Sequence, residues 1–466
     1  MRTNITTAVI VASLALARPA AAQQVAVGPD VVAPDGRAAD SVLAAAARNG
    51  FSGVVYIRRN GSVLLRRGYG LANRAKAITF APSTVVQIGS NTKDFTKVAV
   101  LQLAAAGTLK LTDSLGAFFA NVPSDKRGIT VQHLLQHTAG FPIGVGPDYE
   151  PITRAQLIER ALGTPLKFAP GHGEQYSNTG YSLLAAIIES RTGQSYDEYV
   201  QSHLFVPAGM RRTGLLLPNF AADDLAHGVE GGEEKPTMLE RPHAADGSHW
   251  NLRGNGGLLS TVDDMAAFYD ALFETDKLLP RDVRAQAFPD EPIVLAGSDM
   301  IDFFLYNREP QSGLVMVMAS NVAEQPAPRV HRALLPLYSS VPMDGPGARM
   351  APDAPAVALP DTPTGRAAGE WLRAMMHADS ASMATFLTER MAPNENEKRP
   401  VAERVSQALS RRGRLRDLVP VAFEAKSATV LEVRCRTGDG DPATLTFEVE
   451  AAAPWRIVSV RMIVGG

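Results

Sequence analysis

Gln87-Ile88-Gly89-Ser90-Asn91-Thr92-Lys93-Asp94-Phe95-Thr96-Lys97-Val98-Ala99-Val100-Leu101-Gln102-Leu103-Ala104-Ala105-Ala106-Gly107 is the stretch on which the reading of this chain turns. An apolar, alanine-rich run closed by Gly107 predicts a helix that starts near Ser90 and stops at a glycine C-cap. Ser90 then stands at a helix N-terminus, where free N–H groups and the positive dipole end favour developing negative charge. Lys93 lies three residues on, so both side chains project from one face. A serine hydroxyl is a weak nucleophile, and a buried lysine of lowered pKa is one of the few groups able to activate it. Ser-x-x-Lys is also what an N-capping serine followed by a surface lysine looks like, so other parts of the chain must choose.

At 466 residues, with 45% hydrophobic and 20% charged residues, the chain is globular and too long for one ordinary core. A formal net charge of −2 gives no reason to expect nucleic acid or an anionic membrane surface as partner. The N-terminus reads as a secretory signal peptide over residues 1–22. Arg2 is followed by a short apolar run from Ile5 to Ala17, then by Pro19 and the small-residue site Ala20-Ala21-Ala22. Such a run is too short to span a bilayer, so the expectation is a periplasmic or secreted protein with no membrane span after cleavage. Cys435 is the only cysteine, which leaves no intramolecular disulfide to hold an exported fold together.

Phe51–Arg58 and Ser62–Arg66 flank Asn60-Gly61, a hairpin signal because both turn residues tolerate positive φ. Short helices are expected at 41–48, 130–137 and from Arg154 onward. A buried helix is expected at Tyr181–Glu189, ending before Gly193. Residues 216–250, rich in Gly, Glu, Asp and His, read as an exposed, mobile loop. Ser260 or Thr261 is placed to cap a helix over Val262–Phe273, and strands are expected at 300–308 and 313–319. The prolines of 341–363 mark a semi-rigid linker. Beyond it, residues 364–466 pattern as helices followed by alternating strands, a second α+β unit. The first unit spans 35–340.

Tyr176-Ser177-Asn178 bears on Ser90. A phenol whose pKa is lowered by a neighbouring lysine can pass a proton between serine, leaving group and water. Asn178 can hold Lys93 and a substrate carbonyl. In order along the chain stand Ser90-Asn91-Thr92-Lys93, His133-Leu134-Leu135-Gln136-His137-Thr138-Ala139-Gly140-Phe141-Pro142, Tyr176-Ser177-Asn178, Leu204 to Gly214, and Gly256-Gly257-Leu258-Leu259-Ser260-Thr261. Over roughly residues 40 to 335 the set resembles the serine β-lactamase-like family: class C β-lactamases, DD-peptidases and related esterases. The resemblance implies a mixed α/β (α+β) fold, with an antiparallel sheet flanked by helices and an all-helical subdomain. It also implies Ser90 as nucleophile, Lys93 as its base partner and Tyr176 as general acid/base, with no cofactor. The C-terminal unit is similar in element order to small NTF2-like domains.

One motif departs. The family's third motif, Lys-Thr-Gly or His-x-Gly on a strand lining the site, falls here on Leu295-Ala296-Gly297. The glycine is kept, and the Ser298 N–H is placed to join that of Ser90 as an oxyanion hole. The cationic or polar residue is lost, and leucine cannot pair with a substrate carboxylate. The segment between Phe273 and Leu295 is short, so the sheet edge is expected to be trimmed. His133 and His137 stand four apart, as zinc ligands can, but without the adjacent glutamate of His-Glu-x-x-His, and no metal is expected. The leading expectation is a serine hydrolase cleaving a small ester or peptide through an acyl-enzyme, carboxylesterase-like. A DD-peptidase or β-lactamase is the enzymatic alternative. A catalytically degraded binder of a cell-wall peptide or protein is the non-enzymatic one.

Overall fold

The computed structural model describes residues 30–339, 355–392, 400–412, 418–437 and 442–464, apart from positions 217, 248 and 289–291. The signal-peptide reading and residues 341–354 of the linker lie outside the described residues.

Six strands form one antiparallel sheet: β1 (Val31–Val32), β2 (Gly53–Arg59), β3 (Ser62–Tyr69), β4 (Ile293–Ser298), β5 (Phe303–Glu309) and β6 (Leu314–Ser320), in the order β1-β3-β2-β6-β5-β4. The expected hairpin joins β2 to β3, with Asn60 at φ 49° and Gly61 at φ 80°, values that glycine and asparagine adopt cheaply. The strands from the two ends of the sequence meet at the centre, where β2 pairs with β6 from Gly53 opposite Ser320 to Arg59 opposite Leu314.

Both faces of that central pair are apolar, which is why β6 reads as an unbroken hydrophobic run. Val55, Ile57, Met316 and Met318 face a cluster built with α1 (Arg37–Arg48) and, from the end of the unit, the helix Ala327–Tyr338. Val54, Tyr56, Val315 and Val317 face a larger cluster on the other side. There stand α2 (Thr92–Ala105), α3 (Val131–Leu135), α4 (Arg154–Gly163), α5 (Asn178–Thr192) and α6 (Val262–Phe273). Helix α5 is buried continuously from Thr179 to Ile188, so it runs through the core of the helical region. Its first residue is Asn178 and not Tyr181, because Ser177 supplies the N-cap. Helix α6 lies over β2 and β3 and is tied to them by ion pairs: Arg58 to Asp270 at 2.6 Å, and Arg66 to Asp263.

Thr261, not Ser260, caps α6, accepting from the Asp264 N–H at 3.2 Å. Asp264 in turn accepts from the N–H groups of Arg211 and Arg212 and from the Thr213 hydroxyl, fastening the 204–214 stretch to this helix. The expectation for residues 216–250 is corrected. Among the described residues of that segment Leu225, Val229, Met238 and Trp250 are buried, and Val229–Glu230 pairs with Glu233–Glu234. Few apolar residues suffice to anchor a segment when each one reaches the core. A further helix, α7 (Arg281–Ala287), fills the sequence between α6 and β4, and β4 is the edge strand of this sheet.

After residue 355 come α8 of the C-terminal unit, written here as the helix Pro363–His377, then Ser380–Glu389 and Val401–Arg412. They pack on a four-stranded antiparallel sheet of Val419–Ala425, Val430–Arg436, Pro442–Val449 and Ile457–Val464. Its core gathers Leu372, Met375, Met383, Leu431, Val433, Leu445 and Phe447, with Trp371 edge-on to Phe447 at 5.6 Å. Cys435 lies fully buried among them, and burial pushes its thiol up to about 12, so it packs as a small hydrophobe.

Phe95 on α2 is fully buried, edge-on to Phe205 at 5.3 Å and against Phe268 at 3.9 Å. Phe95→Ala is expected to cost about 3–5 kcal/mol, the range for truncating a buried phenylalanine. A lowered urea midpoint at unchanged slope is the readout.

Candidate active site

Ser90 sits in a 3-10 turn, Gly89–Asn91, that feeds directly into α2. The helix proper starts at Thr92, two residues later than the sequence suggests. It ends as expected. Gly107, at φ 71°, donates to Ala104 O, and Thr108 donates to Leu103 O, the paired bonds of a glycine-closed helix. Upstream, Val86–Gln87 pairs with Leu259–Ser260, and the Ile88 N–H donates to Leu258 O at 3.1 Å. The glycine-rich 256–261 stretch is thereby laid beside the Ser90 turn.

The three residues singled out from the sequence converge. Tyr176 donates its hydroxyl to Ser90 Oγ at 2.7 Å, and Lys93 Nζ lies 3.3 Å from the same oxygen. Lys93 is 6% exposed, and its amine also donates to Asn178 Oδ1 at 2.8 Å and to Asn255 O at 2.7 Å. Two carbonyl oxygens therefore take two N–H bonds. A neutral amine then has its lone pair left for the Ser90 hydroxyl. Burial holds the Lys93 pKa down to about 7, with the nearby carboxylates of Asp94 and Asp148 opposing the shift. Asp94 is itself buried and accepts from the Tyr269 hydroxyl at 2.8 Å, which in turn accepts from Asn91 Nδ2 at 2.9 Å.

The expectation of a lowered tyrosine pKa is corrected. Burial pushes the Tyr176 phenol up, the hydrogen bond to Ser90 opposes this, and Asp94 adds to the rise. An amine that is itself desolvated offers little positive charge to stabilise a phenolate. At neutral pH the proton sits on Tyr176, and Lys93 is the group poised to lose one.

The loop of Tyr176 is held by the 137–143 segment. The Ser177 N–H donates to His137 Nδ1 at 3.1 Å, Ser177 Oγ donates to Pro142 O at 2.8 Å, and the Asn178 N–H donates to Ile143 O at 2.7 Å. The His137 ring lies against those of Tyr176 and Tyr181, with centroids 4.7 and 5.2 Å apart. Burial, with Lys93 nearby, holds its pKa down to about 4, so the ring is neutral and free to accept. His133 makes a capping box with Thr130 at the start of α3. Each histidine of the pair thus has a structural task. Asn255 is a site residue that sequence reasoning passed over, and His137, weighed there only as a metal ligand, supports the Tyr176 loop instead. His137 stands in the His-Thr-Ala-Gly string, and Asn255 contributes a backbone oxygen, which no side-chain motif encodes.

Strand β4 brings up the fourth wall. Gly297 is buried against the Ser90 turn, where a Cβ would stand 2.3 Å from Ile88 O and 2.6 Å from Asn91 N. Gly89, at φ 51°, faces it, and a Cβ there would fall 2.5 Å from Ser298 N. Two glycines let the strand and the turn touch backbone to backbone. The Asp299 N–H turns back to Asp302 O. Alternate backbone groups of a strand point to opposite sides, so the Ser298 N–H points out towards the Ser90 turn. Leu295, on the same face as Gly297, packs against the large core cluster.

A serine, a buried lysine and a tyrosine gathered at the head of a helix beside the edge strand of such a sheet belong to the penicillin-binding-protein-like serine hydrolases. The Beta-lactamase family profile matches residues 38–294, more than half of the chain, and the chain belongs to that family. A penicillin-binding protein of Bacillus subtilis (strain 168) is 26% identical over 288 residues, 57% of this chain and 62% of that one. Protein flp of Staphylococcus aureus (strain MW2) is 35% identical over 185 residues, 38% of this chain and 37% of its own. The chain thus spans less than two thirds of the length of either relative. The crystal structure of a beta-lactamase/D-alanine carboxypeptidase from Pseudomonas syringae superposes with a TM-score of 0.54 at 22% identity, covering 66% of this chain and all of that one, a likeness of fold.

Two outcomes are expected from this geometry. The rate of covalent labelling by a fluorophosphonate rises through pH 7 and levels off above it, since Lys93 acts only once neutral, and Lys93→Arg, which stays charged, slows it by about 10²-fold or more. Gly297→Val forces β4 off the turn, so labelling falls by at least about tenfold while the circular dichroism spectrum is retained.

Proposed function

We propose that the protein is an exported serine hydrolase that cleaves a small ester or amide through an acyl-enzyme on Ser90, with esters as preferred substrates. The observation that carries this reading is the hydrogen-bonded convergence of Ser90 Oγ with Tyr176 and the buried Lys93. Neutral Lys93 accepts the Ser90 proton as Oγ attacks the carbonyl. The Ser90 and Ser298 N–H groups hold the oxygen that becomes negative. Tyr176, protonated at rest, gives its proton to the departing oxygen or nitrogen and regains one from the Lys93 side. Water then attacks the acyl-enzyme by the reverse path. Asn178 fixes Lys93 and orients the substrate carbonyl or amide.

The preference for esters rests on Leu295. An apolar side chain packed into the core offers no partner to the carboxylate that a penicillin or a peptide C-terminus would bring. The Pseudomonas syringae beta-lactamase/D-alanine carboxypeptidase, similar in fold, keeps β-lactamase and D-alanine carboxypeptidase activity as the second reading. The intact proton network weighs against a degraded binder. Residues 1–22 act as a cleavable leader in this proposal, and the C-terminal unit as an NTF2-like accessory domain.

Fluorophosphonate labelling of the native protein, abolished in Ser90→Ala, is the expected result, and a folded native sample that fails to label rules the proposal out. Among substrates, a short-chain nitrophenyl ester is expected to exceed a chromogenic cephalosporin by about 10²-fold or more in kcat/KM, and the reverse order would establish the lactamase reading.

A further inference from the structure

Beside the Ser90 turn lies a cavity of about 90 Å³ that the proton chemistry does not use. Gln87, Asp148, Tyr149, Arg241, Asp299 and Asp302 line it. Asp299 follows directly on Ser298, Gln87 stands three residues before Ser90, and Asp148 lies within electrostatic range of Lys93, so the cavity adjoins the Ser90 site. Its carboxylates outnumber its cations. Asp302 is 8% exposed, and its Oδ1 has no hydrogen-bond partner. Asp299 is fixed by the N–H groups of Ile301 at 3.0 Å and Asp302 at 2.7 Å, both donating to its Oδ1. Asp148 stands exposed at the lip. Burial raises all three, and Asp299 adds to the rise at both Asp148 and Asp302, the mark of like charges held within mutual range. Arg241 lies over the Tyr149 ring at 4.0 Å, and Lys235, paired with Glu230 at 3.7 Å, also lines the cavity, so two cations stand against three carboxylates.

A second feature, independent of the acids, points to a ligand. Gln87 is 7% exposed and lends its Oε1 to the Tyr149 hydroxyl at 3.2 Å, yet its Nε2 is buried with no acceptor. A buried amide N–H without a partner is costly unless something brought from outside accepts it.

We infer that this cavity is a substrate subsite for a protonated primary amine, carried on an arm short enough that a carbonyl oxygen of the same arm meets Gln87 Nε2. Asp299 and Asp302 take the ammonium inside, and Asp148 attracts it at the mouth. The substrate class becomes an ester or amide of an amino-bearing small molecule. The same negative field adds to Leu295 in turning away carboxylates. This assignment rests on Ser90 being the reacting residue.

The test uses the full-length protein and two matched pairs of esters, one with the ammonium on the acyl side and one on the leaving side. The pairs are the nitrophenyl esters of 3-aminopropionate and butyrate, and the acetate esters of 4-(aminomethyl)phenol and 4-ethylphenol. The ammonium member of at least one pair should show a kcat/KM higher by about tenfold or more, as expected for a hydrogen-bonded charge pair. Asp299→Asn, which can still accept both turn N–H bonds, and Asp148→Asn at the exposed lip should each reduce that ratio of kcat/KM between the ammonium and neutral members of a pair. Equal or reversed preference in both pairs, with turnover that Ser90→Ala abolishes, overturns the subsite and leaves the hydrolase reading intact. If no ester is turned over, calorimetry of 3-aminopropionamide against butyramide decides the subsite separately. Tighter binding of the amine, lost in Asp299→Asn, upholds it, and equal binding overturns it.

Discussion

The amine of Lys93 is buried, and the architecture around it follows from what a buried amine demands. A lysine taken out of water must find acceptors or lose its proton. Here it meets both conditions, with bonds to Asn178 Oδ1 and Asn255 O and a pKa held down to about 7. Those two acceptors come from opposite directions. Asn178 opens helix α5, and Asn255 lies in the glycine-rich turn that leads to α6. The single nitrogen therefore locks three segments of chain together around Ser90.

Each neighbouring motif can be understood as a support for that arrangement. The 137–143 segment contributes no group to Ser90, yet its backbone carbonyls and the neutral His137 ring hold the loop that carries Tyr176. Gly89 and Gly297 contribute no side chain either. Their role is to permit contact between the Ser90 turn and β4 at a separation that a methyl group would prevent. Helix α6, pinned to the sheet through Arg58–Asp270 and to the 204–214 stretch through Asp264, carries the glycine-rich turn into register with Val86–Gln87.

Electrostatics divides the cleft in two. On the Ser90 side burial holds the Lys93 amine down to about 7 and the Tyr176 phenol in its protonated form, so little charge stands there before reaction. On the far side Asp148, Asp299 and Asp302 crowd around a cavity with one guanidinium among them.

Much of this was legible in the amino-acid order. The Asn60-Gly61 hairpin, the glycine closing α2, the two-sided apolar run of β6 and the Ser90, Lys93 and Tyr176 triplet are local patterns. The first three are signalled by periodicity and turn chemistry among residues close together in the chain, and the triplet by the order of motifs that stand up to 86 residues apart. What the sequence left open depends on burial and on distant backbone. It suggested a phenol made acidic by a lysine, whereas burial, which no local pattern reports, reverses the order and places the proton on Tyr176. It took 216–250 for an exposed loop, because nothing local shows that Leu225 and Met238 reach the core. Asn255 O and the unpartnered Gln87 Nε2 are invisible in one dimension, since a carbonyl's role and an amide's lack of a partner are set by which segments fold against them. The sequence by itself determined which groups could react. Only the tertiary structure decided their protonation, and which charges stand beside them, because both depend on the removal of water.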